Sequence, residues 1–355
     1  MPDKTTALFE RPQINIACPY KTRMWIVSLC AAAAVFESAL GDGGASFYVM
    51  LAALGAALIT ELLIGVKTGR HTVFDGSAAA SALILTLLLP NQIAPVFAAL
   101  GAVFAIFVVK MNFGGLGANW LNPAVSGWLF IRFSWPGAFN DASAGSPLSF
   151  LVTSIINGSG HKIGSFREIL SQNGFIAHNN TITQALNKNI FSLLKVDIPA
   201  NYIDFFASPG IGIIGDRGVY ALLLGSIVII ALGVSRLYLP AIYITLYLLL
   251  IKFAGALPTG GELWEGDMIF GLFSGGTLIT AFILLADPAT SPKSVYGKTA
   301  FAILAAALSF FFRYMKSDSY GAFFAVALLN TLTPLLRKIE SRCIYERTGS
   351  TEKKL

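Results

Sequence analysis

Long apolar runs alternate with short polar breaks along most of this chain. Predominantly apolar windows lie near 24–40, 46–66, 77–90, 93–110, 121–137, 218–235, 237–254, 267–286, 299–314 and 320–336. A membrane-crossing helix needs about 20 such residues, with a range of about 17–25. The pattern therefore predicts an all-α polytopic membrane protein with about ten transmembrane helices, several of them short. One long polar stretch, 138–217, interrupts the series and is expected to form a loop domain. The chain divides into an N-terminal segment 1–23, helices 1–5 over 24–137, the loop 138–217, helices 6–10 over 218–336, and a tail 337–355.

The breaks carry the chemistry. Phe74-Asp75-Gly76-Ser77-Ala78 opens the third window. Gly114-Gly115-Leu116-Gly117-Ala118-Asn119 and Asn122-Pro123-Ala124 precede the fifth, and Ala286-Asp287-Pro288-Ala289-Thr290-Ser291-Pro292 closes the eighth. Hydrocarbon tolerates broken polar backbone only where it is buried in protein or lines a cavity. Such breaks predict a site inside the bundle. A weak internal repeat accompanies them. Phe74-Asp75-Gly76-Ser77 is echoed by Phe273-Ser274-Gly275-Gly276, and Asn122-Pro123 by Asn330 and Pro334. Five helices per half is an odd number, so the halves would be inverted in the membrane, with a ligand site near the midplane where they meet.

Charge changes the picture in two ways. Only 12% of the 355 residues are charged, half the proportion of about 25% found in soluble domains. The net charge of +6 has no basic stripe with interleaved aromatics, so it reads as loop charge and not as a nucleic-acid footprint. Taken in order, Lys67, Arg70, Lys110, Arg236, Lys293 and Lys298 fall in gaps on one side, together with Lys21, Arg23, Arg337 and Lys338 at the termini. The positive-inside rule then places both termini in the cytoplasm and 138–217 outside. The Arg313–Lys316 turn is the exception, partly offset by Asp318. The first apolar run lacks a cleavage pattern, so no removable signal peptide is expected. Cys18, Cys30 and Cys343, and His71, His161 and His178, are too scattered for a metal cluster, and no metal is expected. No Ser-His-Asp set or zincin motif is present.

Several single residues are candidates. Glu61, toward the inner end of helix 2, has two readings: an ion or proton pathway, or a headgroup-level residue paired with Lys67 or Arg70. Asp75 and Asp287 stand at helix boundaries, either as caps and terminators or as the lining of a second cofactor or ion cavity. Gly114, Gly115 and Gly117 allow positive φ and close backbone approach, either for a planar ring or for a tight turn. Glu37 reads as a surface residue, and Arg132 and Lys252 as snorkelling cations. The N-x-S/T matches at Asn157 and Asn179 read as chance.

The ordered set of motifs resembles one family. It comprises Asp75-Gly76-Ser77-Ala78, Phe113-Gly114-Gly115-Leu116-Gly117, Asn122-Pro123-Ala124, Gly212-Ile213-Ile214-Gly215-Asp216, Asp287-Pro288-Ala289-Thr290-Ser291-Pro292 and Tyr320-Gly321-Ala322-Phe323. The chain resembles the D subunit of Rnf-type electron-transport complexes, related to the B subunit of the sodium-translocating NADH:quinone reductase. In that family an FMN is joined through its phosphate to a Thr or Ser hydroxyl. The resemblance places the acceptor at Ser146 in Asn140-Asp141-Ala142-Ser143-Ala144-Gly145-Ser146-Pro147-Leu148, with Ser143 and Gly145 as motif residues. Asn140 stands where the family has Asp, Ala144 and Gly145 are interchanged, and Ser146 replaces the commoner Thr.

The resemblance implies a redox subunit of an ion-translocating oxidoreductase in the cytoplasmic membrane. Its partners would be the other subunits of the complex, including an extracytoplasmic FMN subunit, together with a flavin transferase and membrane lipid. Gly114, Gly115 and Asn122 become further cofactor-binding candidates, Glu61, Asp75 and Asp287 ion-pathway candidates, and a noncovalent riboflavin is possible because the related subunit binds one. The alternatives from the residues alone are an inverted-repeat channel or secondary transporter without a redox cofactor, and a structural membrane anchor.

Overall fold

The computed structural model describes residues 19–69, 72–91, 93–115, 117–139, 213–255, 268–315 and 320–352, with the isolated positions 188, 257, 263, 264 and 266. Apart from one antiparallel bridge, Pro90 to Ile213, the regular structure among these residues is helical. The first group is α1 (Tyr20–Gly41), α2 (Ala45–Thr68), α3 (Ser77–Leu88), α4 (Pro95–Phe104, continuing as a π-helical segment Ala105–Met111) and α5 (Pro123–Ser134). The second is the single turn α6 (Ile214–Arg217), α7 (Val219–Ala231), α8 (Tyr238–Ala254), α9 (Met268–Phe273), α10 (Thr277–Ile279, continuing as π-helical Thr280–Leu284), α11 (Val295–Phe310, continuing as π-helical Phe311–Met315) and α12 (Gly321–Glu352).

Each apolar window carries helix, but length separates them. Among the described residues, Tyr20–Gly41, Ala45–Thr68, Val295–Tyr314 and Gly321–Ser341 are long and apolar enough to cross a membrane. The 12 residues of α3 reach only about 18 Å at ~1.5 Å per residue, against a hydrocarbon core of about 30 Å. The polar breaks explain this. Gly76 and Pro90 bound α3, and Ser274-Gly275-Gly276 cuts the 267–286 window into α9 and α10. The molecule is a polytopic helical membrane protein in which full-length spans pack with shorter helices.

Local chemistry sets the boundaries. Asn122 caps α5 by accepting from the Ala124 and Val125 N–H groups at 3.0 and 3.4 Å, with Pro123 in the first turn. Ser294 caps α11 through the Gly297 N–H at 2.9 Å. Glu37 reaches from α1 to accept from the Tyr220 and Ala221 N–H groups at 3.2 and 2.6 Å, which caps α7. Glu37, read from the sequence as a surface residue, is half-buried and serves as this cap.

Packing is dominated by small side chains, as in membrane bundles. A Cβ on Gly127 of α5 would stand 2.6 Å from the Gly101 carbonyl of α4, so those two backbones touch. α2 lies against α3 and α4, α1 against α3 and α7, and α11 against α8 and α12. Polar contacts define two ends. At one, Tyr20 meets Asp287, and Ser28 meets the Gly76 carbonyl. At the other, Asp42 and Asn91 both bond Ser46, and Arg217 approaches Asp42 at 3.7 Å.

Candidate functional site

The turn before α3 lies at the Tyr20 end. The Asp75 carboxylate accepts from the Ser77 N–H at 2.8 Å and from the Ser77 hydroxyl at 2.5 Å, capping the half-length helix. Above it the π-helical end of α4 delivers Lys110, whose ammonium pairs with Glu61 and stands 3.8 Å from Asp75. Thr72 donates to Glu61 Oε1 at 2.7 Å. Glu61 and Lys110 are 0% and 2% exposed, so this is an ion pair enclosed by protein. The π-helical turn matters because it re-aims the last residues of α4.

Beside this cluster opens a cleft of about 70 Å³ between α1, α3, α5, α7 and α10. Its polar wall includes Tyr20, Ser77, Lys110, Asn119, Asn122 and Asp287, and its apolar wall includes Ile84, Ile229 and Phe282. Asn122 works twice. Its Oδ1 caps α5, while its Nδ2 donates to Asp287 Oδ2 at 3.2 Å. Asp287, in the connection between α10 and α11, also accepts from the Ala289 N–H at 3.0 Å and the Thr290 hydroxyl at 3.3 Å. Burial pushes the Asp287 carboxyl above the usual carboxylate range, and these hydrogen bonds pull it partly back. Convergent polar groups in a largely apolar cleft are what a small-molecule site needs.

A second polar cluster surrounds the turn before α10, toward the opposite end. Asp216 accepts from the Gly275 and Gly276 N–H groups at 2.7 and 2.9 Å. The π-helical end of α11 delivers Arg313, 2% exposed. Its guanidinium donates to the Ser274 carbonyl at 2.8 Å, the Ser274 hydroxyl at 2.5 Å and the Tyr247 hydroxyl at 3.0 Å.

The structure brings Glu61, Asp75, Asn122 and Asp287 to one region. It gives Glu61 the partner Lys110 in place of Lys67, while Arg70 lies outside the described residues. Lys110 and Arg313, loop charges by the sequence pattern, are both enclosed, so neither belongs in a tally of exposed charge. Arg132 lies with its guanidinium 5.1 Å from the Phe139 ring centroid and 5.7 Å from that of Tyr320, a cation–π contact in place of snorkelling. Gly114 and Gly115 take positive φ (107° and 94°) in the turn between α4 and α5 and do not line the cleft. Ser143, Gly145 and Ser146 lie outside the described residues, as does most of 138–217. Lys110, Arg313, Asn119 and Tyr20 are site residues that the sequence pattern alone does not single out. The one signal is the position of Lys110 and Arg313, each closing the fourth apolar window of its half.

Enclosed ion pairs, helices broken at polar turns and a cleft walled by their ends define a polytopic membrane protein with an internal site, the architecture of carriers and membrane redox subunits. Sequence comparison makes this specific: the NQR2, RnfD, RnfE family profile matches residues 8–346, and the chain belongs to that family. It is 28% identical over 319 residues, 89% of this chain and 88% of the relative, to the D subunit of the proton-translocating ferredoxin:NAD(+) oxidoreductase complex of Clostridium ljungdahlii. It is 26% identical over 276 residues, 77% of this chain and 74% of the relative, to the D subunit of the Na(+)-translocating ferredoxin:NAD(+) oxidoreductase complex of Acetobacterium woodii. Against the D subunit of the ion-translocating oxidoreductase complex of Psychromonas ingrahamii the identity is 28% over 327 residues, 88% of this chain and 91% of the relative.

Proposed function

We propose that this protein is the D-type membrane subunit of an ion-translocating ferredoxin:NAD(+) oxidoreductase complex and passes electrons through bound flavin. The observation that carries this reading is the family match over 8–346, with relatives named as D subunits along most of their length. An FMN would be esterified to Ser146, the hydroxyl in the family's attachment motif, by a flavin transferase. The donor to it would be an extracytoplasmic FMN subunit. A second, noncovalent flavin of riboflavin type would bind at this cleft, whose enclosed space of about 70 Å³ must widen to admit it. Its apolar walls suit a planar ring, and Asn119, Asn122 and Ser77 supply the hydrogen-bonding edge. A bound flavin supplies one- and two-electron redox chemistry. The chain's own residues position the ring, exclude water and keep charge beside it balanced through Glu61, Lys110 and Asp75.

The orientation we propose puts both termini and the Tyr20 end in the cytoplasm, and the Asp42 end outside. The same reading takes the two halves as inverted repeats of five helices each. Two matched features support it. α3 and α10 each start after a left-handed glycine, Gly76 (φ 75°) and Gly276 (φ 70°). Each starting turn also faces an enclosed cation from the π-helical end of the following helix, Lys110 or Arg313. Ion coupling would use the Glu61, Asp75 and Asp287 carboxylates. Moving one charge against the membrane potential costs about 2.3 kcal/mol per 100 mV, so a comparable redox drop must accompany each ion.

The test is mass spectrometry of the polypeptide from cells that also express the transferase. An adduct of FMN mass on Ser146, with ultraviolet fluorescence of the denatured band lost in Ser146→Ala, is the expected result. An unmodified, dark polypeptide in such cells would sink the covalent-flavin reading and leave the noncovalent flavin of the cleft as the one redox centre proposed for this chain.

A further inference from the structure

Next to the flavin cleft lies a separate concavity of about 320 Å³ that the redox reading does not use. Three cations from three elements line it: Arg23 in the first turn of α1, Arg236 in the α7–α8 connection and Lys298 in the first turn of α11. Ser235, Ser291 and Tyr238 complete its polar wall. The Tyr238 hydroxyl is buried and has no hydrogen-bond partner, although buried hydroxyls ordinarily find one. Lys298 lies within electrostatic reach of Arg236 and Arg23, with Glu340 as the nearby acid. Glu340 accepts from the Ser294 hydroxyl at 2.5 Å and from the Ser294 and Lys293 N–H groups, both at 3.3 Å, and its single charge offsets one of the three cations. The wall thus gathers positive charge around open space, with the enclosed Tyr238 hydroxyl as a donor that has no partner among the described residues.

We infer that this concavity binds the phosphate of an anionic phospholipid headgroup. Phosphate is the shared chemistry, since arginine forks and lysine ammonium groups match its oxygens. The lipid source follows from the surroundings. The concavity lies where α1, α8 and α11 begin, the level at which headgroups sit. The α7–α8 connection beside it exposes Leu232 and Leu237, at 53% and 59%, and these offer acyl chains an apolar flank. Basic pockets between transmembrane helices on the cytoplasmic side are a known means of holding such headgroups. A lipid seated there would tie α1, α7, α8 and α11 together beside the flavin cleft, with which it shares Arg23, Val234, Ala286 and Pro288 as wall residues.

The full-length chain in phosphatidylcholine nanodiscs doped with phosphatidylglycerol tests this by native mass spectrometry. Wild type retains phosphatidylglycerol in preference to phosphatidylcholine. Arg236→Gln with Lys298→Gln lowers that preference by about tenfold or more, the scale of charge-assisted hydrogen bonds to phosphate. Tyr238→Phe keeps every charge and lowers it by about fivefold, the scale of one neutral hydrogen bond. Arg236 is exposed, so its single substitution reports on binding if the double variant fails to fold. Equal retention by wild type and variants overturns the inference. Protection of wild type from thermal unfolding by inorganic phosphate, without enrichment of phosphatidylglycerol, assigns the site to a free phosphate and overturns the lipid. The readout contains no flavin, so it stands or falls separately from the redox reading.

Discussion

The fully buried Glu61–Lys110 pair is the clearest residue-scale commitment in the structure. Breaking a buried pair by removing one partner leaves an uncompensated charge and costs about 3–5 kcal/mol, whereas replacing both partners by neutral groups costs far less. Lys110→Met is therefore expected to lower stability by about that amount, and Glu61→Gln with Lys110→Met to recover most of it. Denaturation midpoints of the wild type and the two variants in one detergent check this, and equal loss in the single and double variants would show that the pair is not coupled. Asn122 has the second separable role. Asn122→Asp keeps the acceptor that caps α5 but sets a second carboxylate against Asp287 in place of a donor now 3.2 Å away. Asn122→Ala loses the cap as well, worth about 1 kcal/mol. On the proposed reading of the cleft as a flavin site, both lower noncovalent flavin content, and only Asn122→Asp restores it as the pH is lowered and the carboxyl pair takes up a proton. Flavin per polypeptide across a pH series distinguishes them.

At the scale of elements, the half-length helices depend on their first turns. Gly276 precedes α10 with φ 70°, a conformation that costs other residues about 1–2 kcal/mol. A Cβ there would also stand 2.3 Å from Cζ of Phe323. Gly276→Ala is expected to destabilise through both effects. Phe323→Leu in the same chain relieves only the steric part, so the double variant unfolds at a higher temperature than Gly276→Ala alone. Thermal unfolding in detergent reads this directly, and no rescue would place the whole cost in the backbone. The π-helical ends of α4 and α11 belong to the same design. Each aims a long cation at the turn that starts a half-length helix, Lys110 at Asp75 and Arg313 at Ser274.

Across the whole molecule, the polar contacts gather at two ends separated by α2, whose 24 residues rise about 36 Å at ~1.5 Å each. If the Tyr20 end is cytoplasmic, Leu237→Cys labels from inside and Ala45→Cys from outside with a membrane-impermeant thiol reagent. Both positions are exposed. The measurement uses a background in which Cys18, Cys30 and Cys343 are Ser. Labelling of both from one side would overturn the two-ended arrangement, and reversed sides would overturn the orientation.

Hydrophobic patterning located helix in every apolar window because burial in lipid must be written into the run of side chains. The polar breaks named the site region because backbone leaves helical geometry in a bilayer only where protein can satisfy it. Asp75, Asn122 and Asp287 were legible on that ground, since the structure brings all three to one region. Partnership was not legible. Glu61 and Lys110 are 49 positions apart, and Asp216 reaches the Gly276 N–H across 60. No local pattern tells a lysine at a helix end that faces water from one turned inward by a π-helical segment. The chain by itself determined that the protein is helical, membrane-bound and broken at particular turns, since those follow from composition and near-neighbour sterics. Only tertiary packing decided which charges neutralise one another and which short helices enclose a cleft, because both depend on distances between segments remote along the chain.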